Sequence, residues 1–439
     1  MNDSQYNEYD VISLVEKLYP FAYSITGAGN DKAISAYLEE LDFTIHEYDS
    51  GQSLHGWHIP HAWQVQQAKI FCQNQVVYDA ALSPLGVGIL SPSFSGELSL
   101  TQLQKHLVSD PNQPDAIPYH WQNLYRPLER DWAICIPDKL RQSLTEASYR
   151  VELITDSTPG TMKVLDFYLP GESEQTIVLN GHNCHPFQAN DDISGCAVAI
   201  RVMQALLKLK RRKFSYRVII APELHGPMFW LNALSEAERH KIFGCVLFKS
   251  VGNSASLKLQ HSYTGVDDID KAAEFAMQSR YQEFEQGDFR AIYGNDETVF
   301  EAPPYNIPTI SLTRWPFPEY HTDLDTPDRL DETALSDTFA TTLALIEHLE
   351  YNRRYTVNFT GLVCLSAYGL YKSVPPVDDS GVDYNSLSGR WNKLMNCLPR
   401  EIEDNMSVFD LALKYQLPVT EVFNYLSQWQ ENGLLVEKP

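Results

Sequence analysis

The stretch GHNCHPFQANDDISG, residues 181–195, contains two histidines, a cysteine and two adjacent aspartates among eleven consecutive residues. They are His182, Cys184, His185, Asp191 and Asp192. Imidazole, thiolate and carboxylate groups are the ligands that zinc takes in proteins, and catalytic zinc sites combine three protein ligands with a water. The stretch therefore predicts a metal site, but its composition leaves open which side chains would hold the ion.

Further candidate residues follow other apolar segments. Glu223 comes after SYRVIIAP, Asp296 and Glu297 lie within GNDE, and Arg314 ends IPTISLTR. Those that follow IPTISLTR are Tyr320, His321, Asp323 and Asp325. A carboxylate that is not a ligand can deprotonate a metal-activated water. A single histidine after a strand is more often a hydrogen-bonded structural residue, so the prediction depends on the whole set.

The segments that carry these residues alternate between strand and helix patterns from residue 150 onward. Such alternation predicts a mostly parallel sheet flanked by helices, with the site beyond the carboxyl ends of the strands. Residues 46–149 differ, because they are β-rich and contain Pro-bearing turns. We expect them to form a small inserted domain that divides a catalytic domain made of residues 1–45 and 150–352.

Residues 355–439 form a separate predicted domain. After a polar loop at 375–389, the pattern is helix, turn, helix and wing, with Ser407 as a helix N-cap, Pro418 in the first turn of the next helix and Gly433 at its end. Residues 401–439 contain two lysines, no arginine and seven acids. Because reading DNA bases requires a basic face, this winged-helix-like domain is expected to serve packing or dimerisation.

Bulk composition restricts the partners. The 439-residue chain has a formal net charge of −23, which repels nucleic acid and anionic lipid. No apolar run approaches the roughly 20 residues of a membrane span. The seven cysteines are scattered, which does not suggest a disulfide framework. The polar, acidic N-terminus lacks the pattern of a signal peptide, so we expect a cytoplasmic protein.

The order of the motifs resembles that of the zinc-dependent exopeptidases, which include aminopeptidases. The shared elements are a histidine followed by DD-x-SG, a strand ending in PE, then NDE, IP and YHT-x-x-D. The closest resemblance is to a bacterial aminopeptidase-like branch with a CHP motif, a protease-associated-like β insert and a C-terminal winged helix. It covers nearly the whole chain and implies a three-layer α/β sandwich around a mostly parallel sheet.

The resemblance also implies roles for individual residues. Asp191 matches a zinc-binding aspartate, and its peptide bond to Asp192 is commonly cis in such enzymes. Glu223 matches the general base, and His321 matches the last zinc histidine. Asp325 matches an acid expected to support the ligands or cap a helix.

The first histidine ligand is ambiguous. The ordinary H-x-D pattern would select His182, with Cys184 in place of the aspartate, whereas the CHP motif selects His185. We favour His185, which makes His182 a hydrogen-bonded residue near the site.

Two departures from dinuclear members bear on the number of ions. Those enzymes have Glu-Glu where this chain has Glu223-Leu224, and they have an aspartate near the position of Ser250–Asn253, where this chain has no acid. The resemblance therefore implies one zinc ion, held by His185, Asp191 and His321 with water as the fourth ligand.

The expected function is zinc-dependent hydrolysis of an amide bond in a small peptide, as in an aminopeptidase. Asp296 or Glu297 would bind a substrate amine, and Arg314 or Tyr320 a carboxylate or oxyanion. A surface salt bridge is an equally good interpretation of Arg314. The alternatives are a deacylase of an N-acylated sugar or small metabolite, and a non-catalytic scaffold or regulator. Any homo-oligomer is expected to form through the winged helix or the insert.

Overall fold

A computed structural model describes residues 9–372 and 383–438 of the chain. The chain divides into two compact units. Unit 1 comprises Met1–Gly265 and Glu283–Ala340, and unit 2 comprises Val266–Gln282 and Thr341–Pro439. The part of the predicted polar loop up to residue 382 lies outside the described residues.

The first half of the chain begins with two helices and then becomes rich in strands. Its elements in chain order are α1 (Val11–Leu18), α2 (Ala28–Leu38), β1 (Thr44–Asp49), β2 (Ser53–Leu54), β3 (Trp57–His58), β4 (Ala62–Cys72), β5 (Gln75–Asp79), β6 (Phe94–Ser99), α3 (Leu100–Leu103), β7 (Leu107–Val108), β8 (Ile134–Cys135), α4 (Asp138–Ser143) and β9 (Ser148–Thr158).

From residue 161 onward strands and helices alternate, as the sequence pattern predicts. The elements are β10 (Thr161–Leu169), β11 (Thr176–His182), α5 (Ser194–Leu207), β12 (Ser215–Ala221), α6 (His225–Ala233), α7 (Glu236–His240), β13 (Ile242–Lys249), β14 (Lys258–Gln260), α8 (Asp268–Arg280), β15 (Glu285–Gly287), α9 (Glu297–Phe300), β16 (Thr309–Thr313), α10 (Glu332–Tyr351), β17 (Tyr355–Val357), α11 (Leu387–Glu403), α12 (Val408–Tyr415), α13 (Val419–Glu431) and β18 (Leu435–Glu437).

Unit 1 is organised around an eight-stranded sheet in the order β1-β10-β12-β11-β13-β16-β14-β15. The four central strands, β12, β11, β13 and β16, are parallel to one another. The antiparallel pairs are β1 with β10, β10 with β12 and β14 with β16, and β15 is parallel to β14. All seven residues of β11 are buried, as expected for an apolar central strand covered on both faces. The predicted α/β fold with a mostly parallel sheet is confirmed.

A second, four-stranded antiparallel sheet in unit 1 has the order β5-β4-β9-β6. Its buried face surrounds Trp132, whose ring stacks on Phe94 with centroids 4.5 Å apart. β1, which precedes this region, belongs to the large sheet, while β9 belongs to the small one.

Unit 2 contains α8, the second half of α10, helices α11 to α13 and the antiparallel pair β17–β18. Ser407 caps α12 by accepting a hydrogen bond from the Asp410 backbone, and α13 is followed by Gly433 at φ +71°, as expected for a helix end. The buried rings of Trp391 and Tyr425 pack with centroids 5.5 Å apart. The winged-helix assignment stays a prediction. No helix in the described ranges is long and apolar enough to cross a membrane.

Candidate metal centre

The parallel strands of unit 1 bring the candidate residues to one edge of the large sheet. β11 ends at His182, which is in register with Ala221 at the end of β12, two residues before Glu223. β13, on the other side of β11, ends at Lys249. The chain that follows β16 reaches His321. Residues far apart in sequence therefore meet because parallel strands end at the same edge.

His185, Asp191 and His321 form a group whose donor atoms all lie within 4.8 Å of one another. Asp191 Oδ2 is 3.7 Å from His185 Nε2 and 3.4 Å from His321 Nε2. His185 Nε2 and Asp191 Oδ2 are buried, and neither has a hydrogen-bond partner of acceptable geometry in the described part of the chain. Two imidazoles and a carboxylate converging with free lone pairs suit the ligand set of a catalytic zinc ion.

His182 faces the other oxygen of the same aspartate. Its Nε2 lies 3.1 Å from Asp191 Oδ1, and the side chain is fully buried. Burial lowers the pKa of His182 to about 3 and that of His321 to about 4, so both imidazoles are neutral. His182, Cys184 and Glu223 form a second group of donor atoms within 4.8 Å of one another. The structure thus places His185 with His321 and places His182 on the far side of Asp191.

Two other aspartates fix the loop that carries Asp191. Asp325 accepts hydrogen bonds from the backbone of Asn190 at 2.7 Å and of Asp191 at 3.0 Å. Asp192, joined to Asp191 by a cis peptide bond, accepts one from the backbone of Ser250 at 3.1 Å. A Cβ atom at Gly195 would lie 2.4 Å from Asp192 Oδ1, so only glycine leaves room for that carboxylate.

Lys249 supplies a buried positive charge beside Asp191. Its side chain is 1% exposed, and its Nζ contacts Asp191 Oδ1 and lies 3.3 Å from His182 Nε2. Burial disfavours the charged forms of both Lys249 and Asp191, but the attraction between the two charges outweighs this effect of burial. The Asp191 pKa is held well below its usual range by Lys249 and His182, and the Lys249 pKa is held well above its own by Asp191. The pair is therefore ionised.

Glu223 stands on the wall of a cavity of about 340 Å³ that His321 also lines. Burial raises the pKa of Glu223 to about 7, although Lys249 opposes the shift. Among the described residues, Glu223 is the one carboxylate on this wall. The other lining residues are Ile25, Tyr119, Trp121, Leu124, Tyr125, Cys184, Leu224, His225, Arg290, Tyr293, Gly294, Tyr320 and His321.

Aromatic rings stack on His185 and on His321. The Tyr119 ring stacks on His185 with centroids 4.4 Å apart, and Tyr320 stacks on His321 at 3.8 Å. The hydroxyls of Tyr320 and Tyr293 are 2.5 Å apart. Burial raises the pKa of Tyr320 and raises that of Tyr293 to about 12, so both hydroxyls stay protonated and can donate hydrogen bonds.

Three of the predicted substrate-binding residues lie away from the cavity wall. Asp296 accepts hydrogen bonds from the Leu224 backbone at 2.6 Å and from Asn180 Nδ2 at 2.8 Å, and so supports the segment that carries Glu223. Glu297 is buried and accepts from the Asn295 backbone. The Arg314 guanidinium is paired with Asp337 at 2.8 Å, which agrees with the salt-bridge interpretation, although Arg314 itself is buried and only Asp337 is partly exposed.

Sequence reasoning did not single out several residues at this site. Lys249 is the last residue of the otherwise apolar run IFGCVLFK, and a charge within a buried strand was the signal that could have marked it. Tyr119, Trp121 and Tyr125 come from the region between the small-sheet strands, and Arg290 comes from a loop. No local pattern links these residues to the metal ligands.

Comparison with known proteins identifies the family of the chain. The sequence pattern of a family described as a domain of unknown function (DUF4910) matches residues 12–352. This chain belongs to that family. A relative from Clostridium acetobutylicum, provisionally named a polysaccharide biosynthesis protein with an aminopeptidase-like domain, is 30% identical over 349 residues, which is 79% of each chain.

Solved structures place the DUF4910 chain within a known fold. A crystal structure of a Clostridium acetobutylicum protein provisionally called a peptidase is 25% identical, with a TM-score of 0.79 over 99% of this chain and 97% of that one. BSAP, a zinc aminopeptidase from Bacillus subtilis, is 13% identical, with a TM-score of 0.58 over 77% of this chain and 94% of its own. These likenesses confirm the resemblance to the zinc-dependent exopeptidases and their fold.

Proposed function

We propose that this protein is a zinc-dependent amide hydrolase that uses one metal ion. The observation that supports it most directly is the convergence of His185 Nε2, Asp191 Oδ2 and a nitrogen of His321 beside a cavity that also presents Glu223. The zinc aminopeptidase fold of the solved relatives supports the same choice of metal. When bound, zinc supplies Lewis acidity and lowers the pKa of a coordinated water toward 7.

Glu223 is proposed as the general base. With a pKa of about 7 it can take a proton from the attacking water near neutral pH. The water oxygen bonds to the carbonyl carbon, and Glu223 returns the proton to the amine nitrogen as the C–N bond breaks. The products are a carboxylic acid, which then ionises to the carboxylate by releasing its proton, and a free amine. Tyr320, whose protonated hydroxyl faces Tyr293 in the same wall, is the proposed donor to the oxyanion.

The cavity lining favours the deacylase alternative over a strict aminopeptidase. Asp296 and Glu297, which would hold a substrate ammonium group, accept hydrogen bonds from other parts of the chain instead. Tyr119, Trp121 and Tyr125 offer flat aromatic faces, and the Tyr119 hydroxyl is buried without a hydrogen-bond partner among the described residues. Such a wall suits an uncharged ring, as in an N-acylated sugar, better than a free amine.

The test uses zinc-loaded protein and three sets of compounds: aminoacyl nitroanilides, N-acetylated amino acid amides and N-acetylated amino sugars. We expect hydrolysis in at least one set, with turnover reduced by about 10²–10⁴-fold in Glu223→Gln, the usual contribution of a general base. Glu236→Gln is the matched control, because that glutamate is exposed on α7. Equal activity in wild type and Glu223→Gln would contradict the proposal.

A further inference from the structure

The two oxygens of Asp191 face different surroundings. Oδ2 points toward His185 and His321, the proposed metal ligands. Oδ1 points the other way, toward His182 Nε2 at 3.1 Å and the Lys249 ammonium. A carboxylate in a two-metal site typically binds one ion through each oxygen. Here one oxygen is directed at a metal site and the other at a protein cation.

The surroundings of the Lys249 ammonium resemble those of a bound cation. Besides Asp191 Oδ1 and His182 Nε2, it lies 4.7 Å from the ring centre of Tyr293 and 5.6 Å from that of Tyr320. Both rings present electron-rich faces to a positive charge. The side chain is buried to 1% exposure, so these groups rather than water satisfy it.

We propose that the Lys249 ammonium takes the place of a second metal ion and restricts this centre to one metal. The inference rests on the proposed function only in that His185, Asp191 and His321 are taken to bind metal. His182, Cys184 and Glu223 offer a further set of donors within 4.8 Å of one another. A divalent ion seated among them and Asp191 Oδ1 would lie against the ammonium, which excludes it by charge and by volume.

Chain position supports this assignment. The resemblance to the zinc-dependent exopeptidases implies that dinuclear members place a ligand aspartate after this strand, and here the residues from Ser250 to Asn253 contain no acid. Lys249 ends the strand instead, and its side chain reaches Asp191. The missing anionic ligand and the added cation change the local charge in the same direction. Both make a second divalent ion less favourable.

The test counts metal ions rather than activity. Zinc or cobalt is titrated into chelator-treated protein, and bound equivalents are measured by elemental analysis, with cobalt electron paramagnetic resonance reporting coupled ions. Lys249→Met removes the charge but keeps most of the stem, Lys249→Arg keeps the charge, and Lys241→Met is the control because that lysine pairs with Glu174 at an exposed site. We expect one equivalent in wild type, Lys249→Arg and Lys241→Met, and two in Lys249→Met.

The second equivalent in Lys249→Met should disappear when His182→Ala is added, because His182 would be its ligand. One equivalent in Lys249→Met, or two in wild type with Lys249 intact, would overturn the inference while leaving the proposed function standing. The wild-type count keeps the inference falsifiable even if Lys249→Met does not fold. A wild type that binds no metal would overturn both. A wild type that binds one ion but hydrolyses none of the compounds would overturn only the proposed function.

Discussion

Glu223 is the residue whose protonation should control the rate. Burial raises its pKa to about 7, and a general base works only when ionised. We therefore expect kcat/KM to fall as the pH drops through a value at or below 7, since a bound cation nearby stabilises the carboxylate further. The measurement is a pH–rate profile on zinc-loaded protein.

Metal occupancy across the same pH range provides the control for that profile. Burial lowers the pKa of His321 to about 4, so this proposed ligand stays neutral while Glu223 gains its proton. Activity should therefore decline before zinc is released. A profile that falls only in step with zinc loss would contradict the assignment of Glu223.

The metal-site residues differ in how far sequence predicts them. Four of them belong to motifs that come after apolar strands, namely His185, Asp191, Glu223 and His321. Parallel strands that end at the same edge of the sheet bring these residues together. Arg290 and Tyr119 reach the cavity from loops that have no local pattern, so no motif marks them in the sequence. Residues that belong to motifs after apolar strands are therefore readable from sequence, whereas Lys249, which ends a strand outside any motif, and the loop residues are not.

At the scale of elements, the irregular turn between β11 and α5 determines where Asp191 lies. Asp325 holds this turn by accepting from two backbone N–H groups, those of Asn190 and Asp191. In Asp325→Asn the side chain keeps one acceptor oxygen, which can serve one of these two N–H groups. Its amide NH₂ group would face the other N–H group, so that a donor meets a donor. We expect zinc affinity to fall by about 10–100-fold, as for other groups that orient metal ligands.

Asp328→Asn is the matched control for that substitution. Asp328 lies three residues after Asp325, and its side chain is exposed. Among the hydrogen bonds described, its side chain accepts only the one from Thr326 Oγ1. The measurement is competition with a chelator of known zinc affinity. Equal zinc affinity in Asp325→Asn and Asp328→Asn would show that Asp325 does not position the ligand.

The region between the small-sheet strands also contributes directly to the site. The backbone of Tyr119 donates to His321 O at 2.7 Å, and that of Ile117 donates to Asp323 Oδ1 at 2.8 Å. The segment thus holds the backbone of His321, a proposed ligand, while the Tyr119 ring covers His185. Composition predicts a β-rich insert here, but not this pairing, because its partners are distant in sequence.

At the scale of the molecule, the division into two units predicts which part of the chain metal binding stabilises. All the proposed ligands belong to unit 1. A ligand that binds only the folded state stabilises it by about 2.7 kcal/mol at 100 times its dissociation constant. That stabilisation should therefore appear in unit 1, whose strands β11, β12 and β13 carry the site, and not in helices α12 and α13 of unit 2.

Hydrogen exchange followed by mass spectrometry, with and without a chelator, tests this expectation. Removing zinc should speed exchange in peptides covering β11, β12 and the Ala189–Ile193 turn, because their opening no longer costs the binding free energy. Peptides from α12 and α13 should exchange at unchanged rates. Adding zinc back should restore protection, whereas magnesium should not, because it prefers oxygen ligands over imidazole. Equal deprotection of α12 and α13 would show that the two units respond to the metal as one.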